Sequence, residues 1–193
     1  MSLPNLLATK NGIFMLIAPQ TASAAVAIIR CQIPRDSYLI LRRAAHPDDP
    51  WSGHFSFPGG RKDRTDEDLL ATCIRETAEE TGIVLSVDQL QQRLVLEPAG
   101  RLLSHPILVQ PFLFTLVEPP SLHLDPREIQ GALWLDADHF QTAELHQNVE
   151  LLPGRLFPAY PVEDYYLWGF TYRLLRSILK MDEANMELTH TGQ

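Results

Sequence analysis

FPGGRKDRTDEDLLATCIRETAEETGI, residues 57–83, sets four glutamates, Glu67, Glu76, Glu79 and Glu80, within fourteen positions. A helix starting near Thr65 or Asp66 is predicted, because Asp68 follows Thr65 by three residues and imitates a capping box with a shorter acid. It should run to about Thr81, with Gly82 as the left-handed residue that ends it. On this helix Glu76 and Glu79 are three apart and Glu76 and Glu80 four apart, so their side chains share a face. Leu69, Leu70, Cys73, Ile74 and Thr77 mostly take another face, which can bury against a sheet. Like charges at these spacings cost about a few tenths of a kcal/mol per pair. A hard divalent cation that takes carboxylate and carbonyl oxygens removes that cost. Pro58-Gly59-Gly60 is expected to stop regular structure ahead of the helix, and glycine there lets a backbone carbonyl come close to a metal. The competing reading is a solvated acidic face.

Outward from this stretch, residues 24–31 (AAVAIIRC) and 37–43 (SYLILRR) read as strands from their length and β-branched content. Residues 44–53 form a turn-rich loop, and 54–57 (HFSF) alternate as a short strand does. Residues 93–100 contain another short strand, 107–117 a long one with Pro111 at an edge or bulge, and 131–136 a further one. Residues 162–180 read as an amphipathic helix, and the tail after Met181 is polar. Strands, one helix, more strands and a closing helix predict an α/β chain of the α+β type, with a mixed β-sheet sandwiched between helices. The length of 193 residues suits one domain over 1–193, with its core at about 24–180 and the tail at 181–193.

The net charge of −8 disfavours stable nucleic-acid binding and anionic lipid, although five basic residues, Arg42, Arg43, Arg61, Lys62 and Arg64, gather before the acidic helix. They are either a phosphate-facing patch or a solvated face countered by Asp48, Asp49 and Asp63. No apolar run approaches the roughly eighteen residues of a membrane span. Two cysteines make neither a disulfide framework nor a zinc site, and Cys73 reads as core. The start, Met1 to Asn5, lacks the pattern of a signal peptide, so a cytoplasmic protein is expected. A homodimer is compatible with all of this.

Arg75-Glu76-Thr77-Ala78-Glu79-Glu80-Thr81-Gly82-Ile83 resembles the core of the Nudix box. The chain departs from the box twice: six residues separate Gly60 from Glu67, one more than usual, and Thr77 replaces an apolar residue. The insertion leaves either Glu67 or Asp66 for the first acidic position. The resemblance implies the Nudix fold and hydrolysis of a small-molecule nucleoside diphosphate derivative with Mg2+ or Mn2+. It implies that Glu76 and Glu80, with the Gly59 carbonyl, ligate the metal. Glu79 would bind a further ion or act as base. Arg75 would hold the acids, with Glu67 pairing to it, while Gly60 and Gly82 complete the box. The family often places an acid in a late loop as base or extra ligand, and Glu128 in LDPREIQ matches that place.

The flanks resemble the coenzyme A diphosphatase branch of the same family. The matching residues are Gly53 ahead of Phe57-Pro58-Gly59-Gly60, the acids Asp63, Asp66 and Asp68, the run Thr72-Cys73-Ile74-Arg75-Glu76, and YLWGFTYRLLRSIL at 166–179. The loop 44–53 is longer than the branch pattern. The branch implies cleavage of coenzyme A or acyl-CoA to 3′,5′-ADP and (acyl-)4′-phosphopantetheine. A third phosphate needs cations besides the metals, and Arg42, Arg43 and Arg61 are the candidates. Trp51 either covers an adenine or packs on its own domain, and His54 and His105 are not needed as ligands. ADP-ribose, NADH or a similar derivative is the alternative substrate, and a non-catalytic ligand-sensing module is the reading from another class.

Overall fold

The computed structural model describes residues 21–47, 51–100 and 106–181. Asp48, Asp49, His105 and most of the polar tail lie outside the described residues. The centre is β1 (Ala24–Cys31), which runs parallel to β7 (Ile107–Leu116) over its full length, from Ala24 opposite Val109 to Cys31 opposite Leu116. Its side chains alternate between two buried layers: Ile28 packs into one, and Ala25, Ala27, Ile29 and Cys31 into the other. A strand covered on both faces reads as a continuous apolar run, as this one does.

Beyond β7 lie β5 (Leu90–Arg93) and β6 (Glu97–Ala99), and β8 (Ile129–Asp136) pairs with β2 (Ser37–Arg43). Pro111 sits neither at an edge nor in a bulge. It lies inside β7, opposite Val26 of β1, and its other side meets the gap where β6 gives way to β5. There its carbonyl accepts from Leu94 N at 3.0 Å, and no ladder bond needs the N–H that proline lacks.

On one side of β1 the sheet forks. β1 pairs with β2 only at Arg30 opposite Tyr38 and Cys31 opposite Ser37. Further on the two strands diverge, and the wedge between them is filled by β3 (Phe55–Ser56) on β2 and β4 (Gly59–Arg61) on β1. The expectation that Pro58-Gly59-Gly60 ends regular structure is therefore corrected, since Gly59 and Gly60 pair with Val26 and Ala25. Glycine is needed at Gly59: its φ is 144°, and a Cβ there would lie 2.2 Å from the Ala25 carbonyl oxygen.

Helix α1 (Leu69–Thr81) covers the face of Ala25, Ala27, Leu39 and Leu41. Its N-cap is Asp68, later than Thr65 or Asp66, and the Asp68 carboxylate accepts from Ala71 N at 2.8 Å. Thr77, where an apolar residue was expected, is fully buried, and its hydroxyl donates to the Cys73 carbonyl at 2.7 Å. That bond back along the helix satisfies the one polar atom the substitution brings into the core. Gly82 ends the helix with φ 74° and donates to the Ala78 carbonyl at 2.9 Å.

The opposite face is closed by α2 (Ala137–Phe140), by a second sheet of β9 (Gln147–Leu152), β10 (Arg155–Val162) and β11 (Tyr165–Trp168), and by α3 (Gly169–Ile178). The single helix expected over 162–180 is corrected: only its second half is helical. Gly169 has φ 66° and Trp168 is extended, so the run cannot wind through that point. Leu167 and Leu175 are fully buried here, and burial of each such side chain contributes about 1.5–3 kcal/mol. The mixed sheet between covering layers matches the α+β class predicted.

Candidate active site

Arg75 answers what lies among the crowded acids. Its Nε and Nη2 donate to the two oxygens of Asp66, each at 2.9 Å, its Nη1 donates to Glu79 at 2.9 Å, and its Nη2 lies 2.8 Å from Glu76. The Asp66 carboxylate also accepts from Asp63 N at 2.8 Å and from the Thr72 hydroxyl at 2.9 Å. Arg75 foremost, then the Asp63 and Thr72 donors, hold the Asp66 carboxyl well below the usual carboxylate range. Glu67 is exposed, so its expected pairing with Arg75 is corrected: the extra residue turns Asp66 inward and Glu67 outward. A strand-and-turn path of fixed length from Arg61 to the cap at Asp68 decides this, and spacing alone does not show it.

The fork places its glycines against the helix. Gly59 N donates to Glu80 Oε2 at 2.8 Å. The carboxyl of Glu76 lies against Gly60, where a Cβ would come within 2.5 Å of it. Glu80 is almost wholly buried. Burial, with the negative charges of Glu76 and Glu128 adding, pushes its carboxyl up to about 8, while Gly59 N–H and Arg43 oppose the shift. Burial also raises the Glu76 carboxyl against the pull of Arg75, and Glu79 and Glu128 add to the rise.

Glu128 reaches this place through the 121–128 loop, which docks on the end of α1. His123 N donates to the Thr81 carbonyl at 2.8 Å and Asp125 N to the Glu80 carbonyl at 3.2 Å, partners that a helix C-terminus requires. Ala44 N donates to the Glu128 carbonyl at 2.7 Å and ties the loop to the end of β2. The loop end thus carries the exposed Glu128 to where its charge bears on Glu76 and Glu80, some fifty residues away in sequence.

The three arginines part company. Alternation along β2 sends Arg42 and Arg43 to opposite faces. Arg42 turns to the α3 face, stands 5.4 Å over the Phe55 ring and is ion-paired with Asp164. Arg43 turns to the α1 face, where its charge acts on Glu80. Arg61 is exposed on β4, and its carbonyl accepts from Arg75 at 3.4 Å.

Among the described residues no three His, Cys, Asp or Glu side chains are gathered tightly enough to hold a metal ion as they stand. The donor set nevertheless suits a hard cation. Glu76 and Glu80 are oxygen donors whose proton affinity burial and the neighbouring carboxylates raise, and the glycines beside them leave backbone close at hand. Glu79 stands apart, half exposed and held by Arg75. No helix among the described residues is long and apolar enough to cross a membrane.

Residues 20–154 match the family model described as the NUDIX domain. An uncharacterized Schizosaccharomyces pombe protein is 32% identical over 130 residues, covering 64% of this chain and 39% of its own length, so the chain spans about two fifths of that relative. A Yersinia pestis protein named as an uncharacterized Nudix hydrolase, NudL, is 27% identical over 162 residues, 80% of this chain and 77% of the relative. Among solved structures, a NUDIX hydrolase from Alicyclobacillus acidocaldarius aligns with a TM-score of 0.57 at 19% identity, over 84% of this chain and 93% of that one. The NUDIX domain of Shewanella oneidensis NrtR, complexed with ADP ribose, aligns at 0.53 and 16% identity, over 88% and 90%. At such identities these two alignments speak for the fold.

Proposed function

From the premise that the chain belongs to the NUDIX family and is a diphosphatase, we propose that it cleaves the diphosphate of coenzyme A or an acyl derivative to 3′,5′-ADP and (acyl-)4′-phosphopantetheine. The observation that carries the chemistry is the placing of the Glu80 and Glu76 carboxyls against Gly59 and Gly60 at the fork of the sheet. The choice of coenzyme A rests on the motifs at 53–82 and 166–179.

Glu76 and Glu80, with the Gly59 carbonyl, would hold Mg2+ or Mn2+, and Glu79 lies one turn from Glu76 for a second ion. When bound, such an ion neutralises charge on the diphosphate and makes water more acidic. The chain's own residues do the rest. Arg75 fixes Glu76 and Glu79 through Asp66, so the carboxylates need not be ordered when substrate arrives. Glu128, exposed at the end of a docked loop, takes the proton of the attacking water on its carboxylate. Water adds to phosphorus, the anhydride P–O bond breaks, and the released phosphate leaves with the bonding pair. Arg43 and Arg61 are the candidate cations for a further phosphate.

One observation favours the second reading, ADP-ribose, NADH or a similar derivative: Asp164 already neutralises Arg42, so fewer cations stand ready for a 3′-phosphate. Kinetics on coenzyme A, its 3′-dephospho form, ADP-ribose and NADH at one Mn2+ concentration decide between them. Coenzyme A should exceed its dephospho form by about ten- to a hundredfold in kcat/KM, the effect of one charge-assisted contact. If ADP-ribose or NADH leads by about tenfold, the second reading replaces the first.

A further inference from the structure

We propose that Asp125 is a positioning residue for the hydrolysis, setting Glu128 against the last turn of α1 through the turn that it closes. The inference rests on the diphosphatase reading with Glu128 as base, and it names what holds that base in place. Asp125 N donates to the Glu80 carbonyl at 3.2 Å, and the Asp125 carbonyl accepts from Glu128 N at 3.1 Å and from Ile129 N at 2.8 Å. Two hydrogen bonds with a single residue between them therefore join the backbone of Glu80 to that of Glu128, although β5, β6 and β7 lie between the two in the chain.

The side chain of Asp125 closes the turn. Its Oδ1 accepts from Arg127 N at 2.9 Å, imitating a backbone carbonyl, and Pro126 presets the backbone between them. Arg127 Nε also reaches both carboxylate oxygens, at 3.0 and 3.1 Å. The Arg127 side chain is 85% exposed, against 17% for Asp125, so the ion pair itself holds little. What shapes the turn is the acceptor for the Arg127 N–H, and alanine at this position would remove it.

Both sides of the turn are anchored. On one, His123 N donates to the Thr81 carbonyl at 2.8 Å, and His123 packs so closely that a Cβ at Gly82 would stand 2.9 Å from its own. On the other, the Glu128 carbonyl accepts from Ala44 N at 2.7 Å, and Ile129 is buried and paired with Arg43. Glu128 itself is exposed, so packing of its side chain does not fix it and its place follows from its backbone. From there its charge bears on Glu76 and Glu80. The turn between the anchors is the part that a side chain sets, and that side chain is Asp125.

The test measures kcat, KM and Tm of the full chain with Mn2+, on whichever of coenzyme A, its 3′-dephospho form, ADP-ribose and NADH the wild type cleaves fastest. Asp125→Ala should lower kcat by about ten- to a hundredfold, with KM within about twofold, and by no more than Glu128→Gln does. Asp125→Asn, whose amide oxygen still accepts from Arg127 N, should recover most of that loss. Added to Glu128→Gln, Asp125→Ala should cost less than about twofold more, because the group it positions is already gone. Should Asp125→Ala fail to fold, Pro126→Gly, which frees the preset backbone, takes its place in the same pairing with Glu128→Gln. A merely structural role lowers Tm and costs kcat equally in both backgrounds, and that result overturns the inference. So does a rise in KM at unchanged kcat, Asp125→Asn no better than Asp125→Ala, or a wild-type kcat in Glu128→Gln. Failure of the diphosphatase reading looks different: the wild type would then show no Mn2+-dependent turnover of any of the four substrates, and the inference falls with it.

Discussion

Arg75 grips both oxygens of Asp66, each at 2.9 Å, while Glu67, one residue on, faces solvent. The pair supports the carboxylates of Glu76 and Glu79 from behind. Asp66→Asn should therefore lower kcat/KM by on the order of ten- to a hundredfold through misplaced ligands. Glu67→Gln should leave it near the wild-type value. Steady-state kinetics on the two variants check this, and the opposite ranking would return the role to Glu67.

The same pair has an acid signature. The Asp66 carboxyl is depressed in the folded state, so its contribution is present above the unfolded carboxyl's range and is lost as pH falls through the lower folded value. The gap in Tm between wild type and Asp66→Asn should be full at neutral pH and shrink in acid. A gap that stays constant down to strongly acidic pH would contradict it.

For Glu80 the sign reverses. Burial raises its folded carboxyl to about 8 from an ordinary 4.5, so the folded state holds the extra proton between these values and stability falls as pH rises through that window. In chelator, Glu80→Gln should gain in Tm over wild type across this window and level off above it. Added Mn2+ should raise the Tm of the wild type increasingly with pH and do little for Glu80→Gln. Equal Mn2+ shifts in both proteins would place the ion elsewhere.

Glu76→Gln and Glu80→Gln should each reduce kcat by on the order of 10²–10⁴ if a metal is displaced, and Glu128→Gln by at least about tenfold if it is the base. Rapid-mix kinetics at saturating Mn2+ distinguish these from effects on binding. A wild-type kcat in Glu128→Gln would reduce it to a surface residue of the docked loop.

The two glycines should fail differently. A Cβ at Gly59 meets backbone, Ala25 O at 2.2 Å and Val26 Cα at 2.6 Å, at a φ of 144°. Gly59→Ala should cost about 1–3 kcal/mol of stability or more. The three atoms nearest a Cβ at Gly60 all belong to the Glu76 carboxyl, from 2.5 Å, the movable end of a side chain. Gly60→Ala should fold with a Tm near wild type and lose kcat as Glu76 is pushed aside. Thermal melts beside kinetics separate the two outcomes.

Much of this protein was decided locally and could be read from the chain. The strands at 24–31 and 37–43 are where their apolar runs put them, because a strand buried on both faces needs such a run. Helix α1 follows from its apolar stripe and from Gly82, the residue that tolerates a left-handed end. The Pro153-Gly154 turn between β9 and β10 was a local signal too, and it marks the second sheet that the helical reading of 162–180 passed over. What tertiary structure alone decided concerns partners that spacing cannot rank. Asp66 takes Arg75 because the β4-to-cap path points it inward. Gly59 and Gly60 form a strand because β1 and β2 diverge and leave room for one. Arg42 and Arg43, adjacent in sequence, serve opposite faces because a strand alternates its side chains, and only the fold brings Asp164, from a distant hairpin, onto Arg42. The charge of Glu128 bears on Glu76 and Glu80 because the last carbonyls of a helix need donors, and the loop that supplies them carries that carboxylate along.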